Sequence, residues 1–201
     1  MHLLELLDIM TLQELTEQWR KKAPPAFARP DAYTAAIYAS TEIHEALDAA
    51  NRRRRAGDLR TRADSEKDRL ERELGQSAFM ICSTATELGL ELTEYEVVLD
   101  GKDDLIELLL MAGVEIDRVA IHIGRNERWK NTLVFSYTKL NLIFTLANIC
   151  KVAAMLDVDL ESEINLWMEE VTRKATSKPG FWQSLKQRIS ASWTVDTPLD
   201  L

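Results

Sequence analysis

Glycine and proline are scarce in this chain, seven and five among 201 residues, and cysteine is scarcer still, with two. So few turn-formers exclude a β-sandwich or barrel, whose strands need a turn signal every 8–12 residues or so. Cys82 and Cys150 lie in apolar surroundings and outside any C-x-x-C pair, which argues against a disulfide scaffold or a zinc site. They read as buried thiols of a reducing compartment. Positive charge is also short: 25 Lys and Arg against 33 Asp and Glu leave a net −8, with no global field to gather nucleic-acid phosphates. Glycine-rich phosphate loops of the P-loop or Rossmann kind are missing. The longest apolar run, Leu140 to Met155, is interrupted by Asn141, Asn148 and Lys151 and is shorter than the ~20 residues of a membrane span. Met1 to Trp19 has no basic leader and carries Glu5, Asp8 and Glu14, so it reads as an amphipathic helix and not a signal peptide. The expectation is a cytoplasmic protein with neither membrane nor nucleic acid as partner.

What is present is helical signal. With 46% hydrophobic and 29% charged residues, the chain reads as one all-α domain over residues 1–201. Thr11 is placed to cap a helix to about Lys22, with Glu14 at the capping-box position and Pro24-Pro25 as its stop. Further helices are predicted from Asp31 to Ala56, from Asp64 or Ser65 to Gly89, and over a short piece from Thr93 to Leu99. The pattern then restarts. Helices are expected from Asp103 or Asp104 to Gly124, from Trp129 to Leu156, from Leu160 to Lys174, and over 179–193, where Phe181 to Trp193 is amphipathic.

Shifting the sequence by 68 positions pairs Leu74, Ile81, Cys82, Ala85, Leu88 and Leu92 with Leu142, Ile149, Cys150, Ala153, Leu156 and Leu160. A shift of 73 pairs Glu42, Ile43, Arg52 and Arg55 with Glu115, Ile116, Arg125 and Arg128. Residues 31–96 and 103–175 therefore read as two degenerate helical-hairpin repeats, forming a four-helix-bundle-like core with extra terminal helices.

The residues that carry chemistry are Glu42, Glu45 and Glu73. Glu42 and Glu45 are three apart and share a helical face, where like charges repel unless a cation is shared. Between Glu45 and Ala56 the helix climbs about 16 Å, and between Asp64 and Glu73 its successor descends about 14 Å, so Glu73 returns level with the pair. Gln76 follows one turn later. Three carboxylates and an amide form a hard, all-oxygen donor set suited to Mg²⁺ or Mn²⁺. On spacing alone, Glu pairs also decorate ordinary solvated helices.

The joint pattern is more specific. Thr41-Glu42-Ile43-His44-Glu45, a gap, Glu73-Leu74-Gly75-Gln76, an apolar helix and Leu88-Gly89-Leu90 resemble the MazG-like all-α nucleoside triphosphate pyrophosphatases, which include dimeric dUTPases and phosphoribosyl-ATP pyrophosphatases. Their motif is E-E-x-x-E followed by E-x-x-D. Here Thr41 replaces the first Glu and Gln76 the last Asp, each removing a negative charge. In the second repeat Arg118 stands where Glu45 does and Asn141 where Glu73 does, so only the first copy keeps the motif.

The resemblance implies a Mg²⁺-dependent pyrophosphohydrolase that splits a nucleoside triphosphate into monophosphate and pyrophosphate. Glu42, Glu45 and Glu73 would be its catalytic residues and, with Gln76, its metal ligands; a homodimer is compatible with it. Arg52, two turns beyond Glu45, and Arg69, one turn before Glu73, are the candidate phosphate contacts, beside Arg53 to Arg55, Arg60 and Arg62. Trp19, Tyr38 and Trp129 are candidates to stack a base, with core packing the competing fate, and His44 is expected to pack or to support the site. The rival reading is a helical binding or assembly module that has lost its chemistry; carboxylates neutralised by Arg side chains would favour it.

Overall fold

The computed structural model describes residues 9–22, 30–56, 60–92, 102–125 and 132–177. They form six α-helices and, among the described residues, no strand: α1 (Ile9–Lys22), α2 (Ala32–Ala56), α3 (Arg60–Glu87), α4 (Leu105–Arg125), α5 (Thr132–Leu156) and α6 (Leu160–Ser177). The all-α class follows directly. The expected Thr93 to Leu99 piece, the Phe181 to Trp193 helix, the start of α5 at Trp129 and the first eight residues lie outside the described set.

Three helices start on an aspartate whose side chain satisfies orphan amides. Asp31 accepts from the Thr34 amide at 2.7 Å, Asp104 from Ile106 and Glu107 at 3.0 and 3.1 Å, and Asp159 from Glu161 and Ser162 at 3.0 and 3.3 Å. Two expected starts are corrected. α1 begins at Ile9, so Thr11 sits inside it and not at its cap; α3 begins at Arg60, with Asp64 and Ser65 already helical. Arg60 to Ala63 are adequate helix formers, and a polar residue in a first or second turn mimics a cap in sequence.

Two helix ends share one geometry. Gly89 has φ 66° and Asp157 φ 57°, both left-handed, and in each case the next amide reaches back to close the cap, Leu90 to Ala85 and Val158 to Ala153, both at 2.9 Å. α3 thus stops at Glu87, two residues before the expected Gly89. The two caps are 68 positions apart.

α2 packs along α3 and α4 along α5; α2 also packs against α4, and α3 against α5, so each of these four helices touches two of the others. Their shared interior holds Ile43, Leu70, Leu74, Ile81, Leu109, Ile116, Leu142 and Ile149, all fully buried, together with free Cys82 and Cys150. Burial drives both thiols well above their ordinary range, so they stay protonated.

α6 and α1 lie on α3. Gly75 permits the first contact, since a Cβ there would stand 2.6 Å from Glu163 Cβ. On α1, Gln13 donates to the Leu90 carbonyl at 2.8 Å and accepts from the Leu92 amide at 2.9 Å, tying down the chain beyond α3. Buried Arg20 donates to the Ser83 carbonyl at 2.9 Å and pairs with Glu87. Trp19 is used structurally, its indole donating to Asn165 at 2.7 Å.

Val134–Leu156, within α5, is by length and composition long and apolar enough to cross a membrane, a longer stretch than the Leu140 to Met155 run. Its Leu142, Leu146, Ile149 and Ala153 are buried against neighbouring helices.

Candidate metal centre

α2 and α3 run side by side, and their facing stripes carry the acids. Glu42 and Glu45 share a stripe of α2 because they are three residues apart, and Glu73 comes from α3. One carboxylate oxygen from each of the three lies within 4.8 Å of the other two. Glu73 is buried, and Glu45 lies at the rim with its side chain 48% exposed. The cluster therefore opens at one side to solvent and closes at the other on the core.

Glu42 suffers most from this crowding. Burial, a hydrogen bond with Glu73 and the charges of Glu73 and Glu45 push its carboxyl far above the usual carboxylate range, with Arg69 pulling the other way. Tyr38, one turn before Glu42, is buried; its phenol is pushed up to about 12 by burial and by the Glu42 charge, and its hydroxyl has no hydrogen-bond partner.

Arg69 is the cluster's internal cation. Its guanidinium donates to Glu45 at 3.2 Å and lies 3.8 Å from Asp48 and 3.7 Å from Glu73. Arg52 turns instead to Asp48 on its own helix, at 2.7 Å. These ion pairs are partly exposed and hence individually weak and screened by salt. They set three carboxylates, Glu45, Asp48 and Glu73, against two guanidiniums.

Asp48 was not singled out by the motif, yet it links the two arginines. The signal was its position three residues after Glu45, which extends the Glu42 and Glu45 ladder by another turn. Gln76, three residues past Glu73, is partly buried. Thr41 gives its hydroxyl to the Ile37 carbonyl at 3.0 Å, so it does not replace the acid of the motif.

His44 faces elsewhere. Its Nδ1 donates to the Ser40 carbonyl at 2.7 Å and its ring lies against Gly113 of α4, where a Cβ would come within 3.5 Å. Ser40 in turn donates to Asp117 at 2.6 Å. His44 therefore lies exposed at the edge of the α2–α4 contact, away from the acids. Tyr38, being buried, is not placed to stack a base. Trp129 and the side chains of Arg60 and Arg62 lie outside the described residues.

At the positions matched by the internal shift the second hairpin has no acid cluster. Glu115 and Arg118 pair with one another at 2.7 Å, and Asn141 is buried with its amide nitrogen unpartnered. No family model, curated protein or solved structure matches the chain.

The donor set suits a hard cation on two grounds. All three converging groups are carboxylates, and Glu42 among them is so disfavoured as an anion that it keeps a proton where a cation would serve better. The unpartnered Tyr38 hydroxyl beside Glu42 marks the same place as polar and unfinished.

Proposed function

We propose that the protein is a Mg²⁺-dependent nucleoside triphosphate pyrophosphohydrolase, releasing a nucleoside monophosphate and pyrophosphate. The observation that carries the reading is the convergence of Glu42, Glu45 and Glu73 from two adjacent helices on one spot. Glu42, Glu45 and Glu73 would hold the cation, and Gln76 would add a neutral amide oxygen. Bound there, Mg²⁺ or Mn²⁺ supplies positive charge for the phosphate oxygens and lowers the pKa of a water.

The chain's own groups do the rest. Arg69 exchanges its carboxylate partners for the charge of departing pyrophosphate, and Arg52, at the same edge, supports it. The Tyr38 hydroxyl is available to orient whatever group Glu42 faces. Glu73, buried and next to the core, fixes the inner limit of the pocket. The two buried free thiols fit a reducing, cytoplasmic setting. Residues 31–96 and 103–175 are read as duplicated hairpins, a view supported by the left-handed caps at Gly89 and Asp157 and by the paired Cys82 and Cys150.

Incubation with mixed NTPs and dNTPs and Mg²⁺, followed by a pyrophosphate assay, tests the reading. Turnover that requires the cation and is lost in Glu45→Gln and Glu73→Gln is the expected result. No turnover by folded wild-type protein with the cation in excess would end it. A second reading, a helical binding module without chemistry, draws on the hold of Arg69 on Glu45; it expects neither turnover nor any response of stability to Mg²⁺.

A further inference from the structure

Arg69 stands where a bound cation would. Its guanidinium reaches Glu45 at 3.2 Å, Glu73 at 3.7 Å and Asp48 at 3.8 Å, so it already answers two of the three converging acids. It comes from α3, one turn before Glu73, and crosses to Glu45 and Asp48 on α2, so its contacts join both walls of the site. Asp48 also holds Arg52, at 2.7 Å. Across these ion pairs the charges nearly cancel, three carboxylates against two guanidiniums.

A balance this close leaves the site a poor binder of either ion alone. A divalent cation arriving at Glu45 and Glu73 competes with the guanidinium for the same oxygens and is repelled by its charge. A polyphosphate arriving at Arg69 meets Glu45, Asp48 and Glu73 and is repelled in turn. Together the two remove each other's obstacle. The cation takes the carboxylates, and the phosphate chain takes the guanidinium that the cation displaces. Such coupling is reciprocal, each ligand tightening the other by the same factor. With its side chain 32% exposed, Arg69 can turn to a ligand without unpacking the core. The anion must chelate the cation and reach the guanidinium at once, which a chain of two or three phosphates does and a lone phosphate does not.

We propose that Arg69 is a specificity-determining residue that makes the acid site take a divalent cation and a polyphosphate chain together, and each one poorly alone. This rests on the pyrophosphohydrolase reading of the site.

The test is isothermal titration of the full chain with Mn²⁺ alone, with inorganic tripolyphosphate alone and with the two mixed one to one. Wild type should bind the mixture about tenfold or more tighter than either component. Arg69→Met, confirmed as folded by circular dichroism, should reverse that order, with several-fold tighter Mn²⁺ and roughly tenfold weaker binding of the mixture. Arg69→Lys keeps the charge without the planar fork and should fall between them. Chelation of Mn²⁺ by tripolyphosphate in solution is the same for every variant and cancels in the comparison. Inorganic phosphate in place of tripolyphosphate should leave Mn²⁺ binding unchanged. Wild type that binds neither Mn²⁺ nor the mixture ends the pyrophosphohydrolase reading and the proposal with it. Wild type that binds the mixture, with Arg69→Met binding it equally well or weakening on both ligands alike, overturns the proposal alone. So does wild type that binds Mn²⁺ as tightly as the mixture, or an equal gain from inorganic phosphate. Should Arg69→Met fail to fold, Arg69→Gln carries the same expectations.

Discussion

Replacing Glu42 by Gln should make the metal-free protein more stable at neutral pH and leave it unchanged in acid. The folded chain holds the Glu42 carboxyl far above its ordinary 4.5, by burial first and then by Glu73 and Glu45. The folded state therefore keeps a proton that the unfolded chain releases above that value. Below pH 4.5 both states are protonated and nothing is lost; as pH rises from there, stability falls until the folded group ionises too. Each pH unit in this range is worth at most about 1.4 kcal/mol, which sets an upper limit of roughly 3.5 kcal/mol at neutrality. Proton sharing with Glu73 and the field of Arg69 bring the expectation to about 1–3 kcal/mol. A Gln amide can donate to Glu73 as the protonated carboxyl does, and it has no charge to bury. With a chelator present, the variant should melt about 3–8 °C higher than wild type near neutral pH, and the two should coincide in acid. Mg²⁺ should then raise the wild type and not the variant, by mass action on the folded state. A variant that melts at or below wild type near neutral pH, or that gains equally in acid, refutes the reasoning.

Gln76→Asp adds a fourth negative oxygen, so Mg²⁺ titration of dNTP hydrolysis should show tighter cation binding and faster turnover than in wild type. Arg69→Met removes the cation that competes for Glu45 and Glu73; isothermal titration should show several-fold tighter Mg²⁺, while turnover falls roughly tenfold or more for want of a partner for pyrophosphate. Gly75→Ala forces a Cβ against Glu163 of α6, which should cost about 1–3 kcal/mol in denaturant unfolding; a change below a few tenths would mean that α6 yields freely.

Much of this protein is local chemistry, and local chemistry is written along the chain. The scarcity of Gly and Pro, the apolar periodicity and the aspartates at 31, 104 and 159 dictate helices and most of their starts, because capping and amphipathicity act within a turn or two. The three-residue spacing of Glu42 and Glu45 likewise sets them on one face before any packing is known. Helix starts at Ile9 and Arg60 escaped this reading, because a polar residue inside the first turns looks like a cap until the backbone is seen.

Other features exist only once the helices are brought together. Which cation answers the acids was decided by packing: Arg69 reaches Glu45, Asp48 and Glu73, whereas Arg52, equally well spaced in sequence, bonds to Asp48 on its own helix. His44 lies within the motif yet turns to α4, because one helical turn offers opposite faces to different neighbours. The half-exposed Leu110, Val114 and Phe144 are indistinguishable from core residues by composition, and only the arrangement of α2 to α5 leaves them outside. Sequence by itself determined the elements and the acids, since those depend on neighbours along the chain. Tertiary structure alone decided the ion partners, the proton held at Glu42 and the apolar outer face, since each depends on distances between helices far apart in sequence.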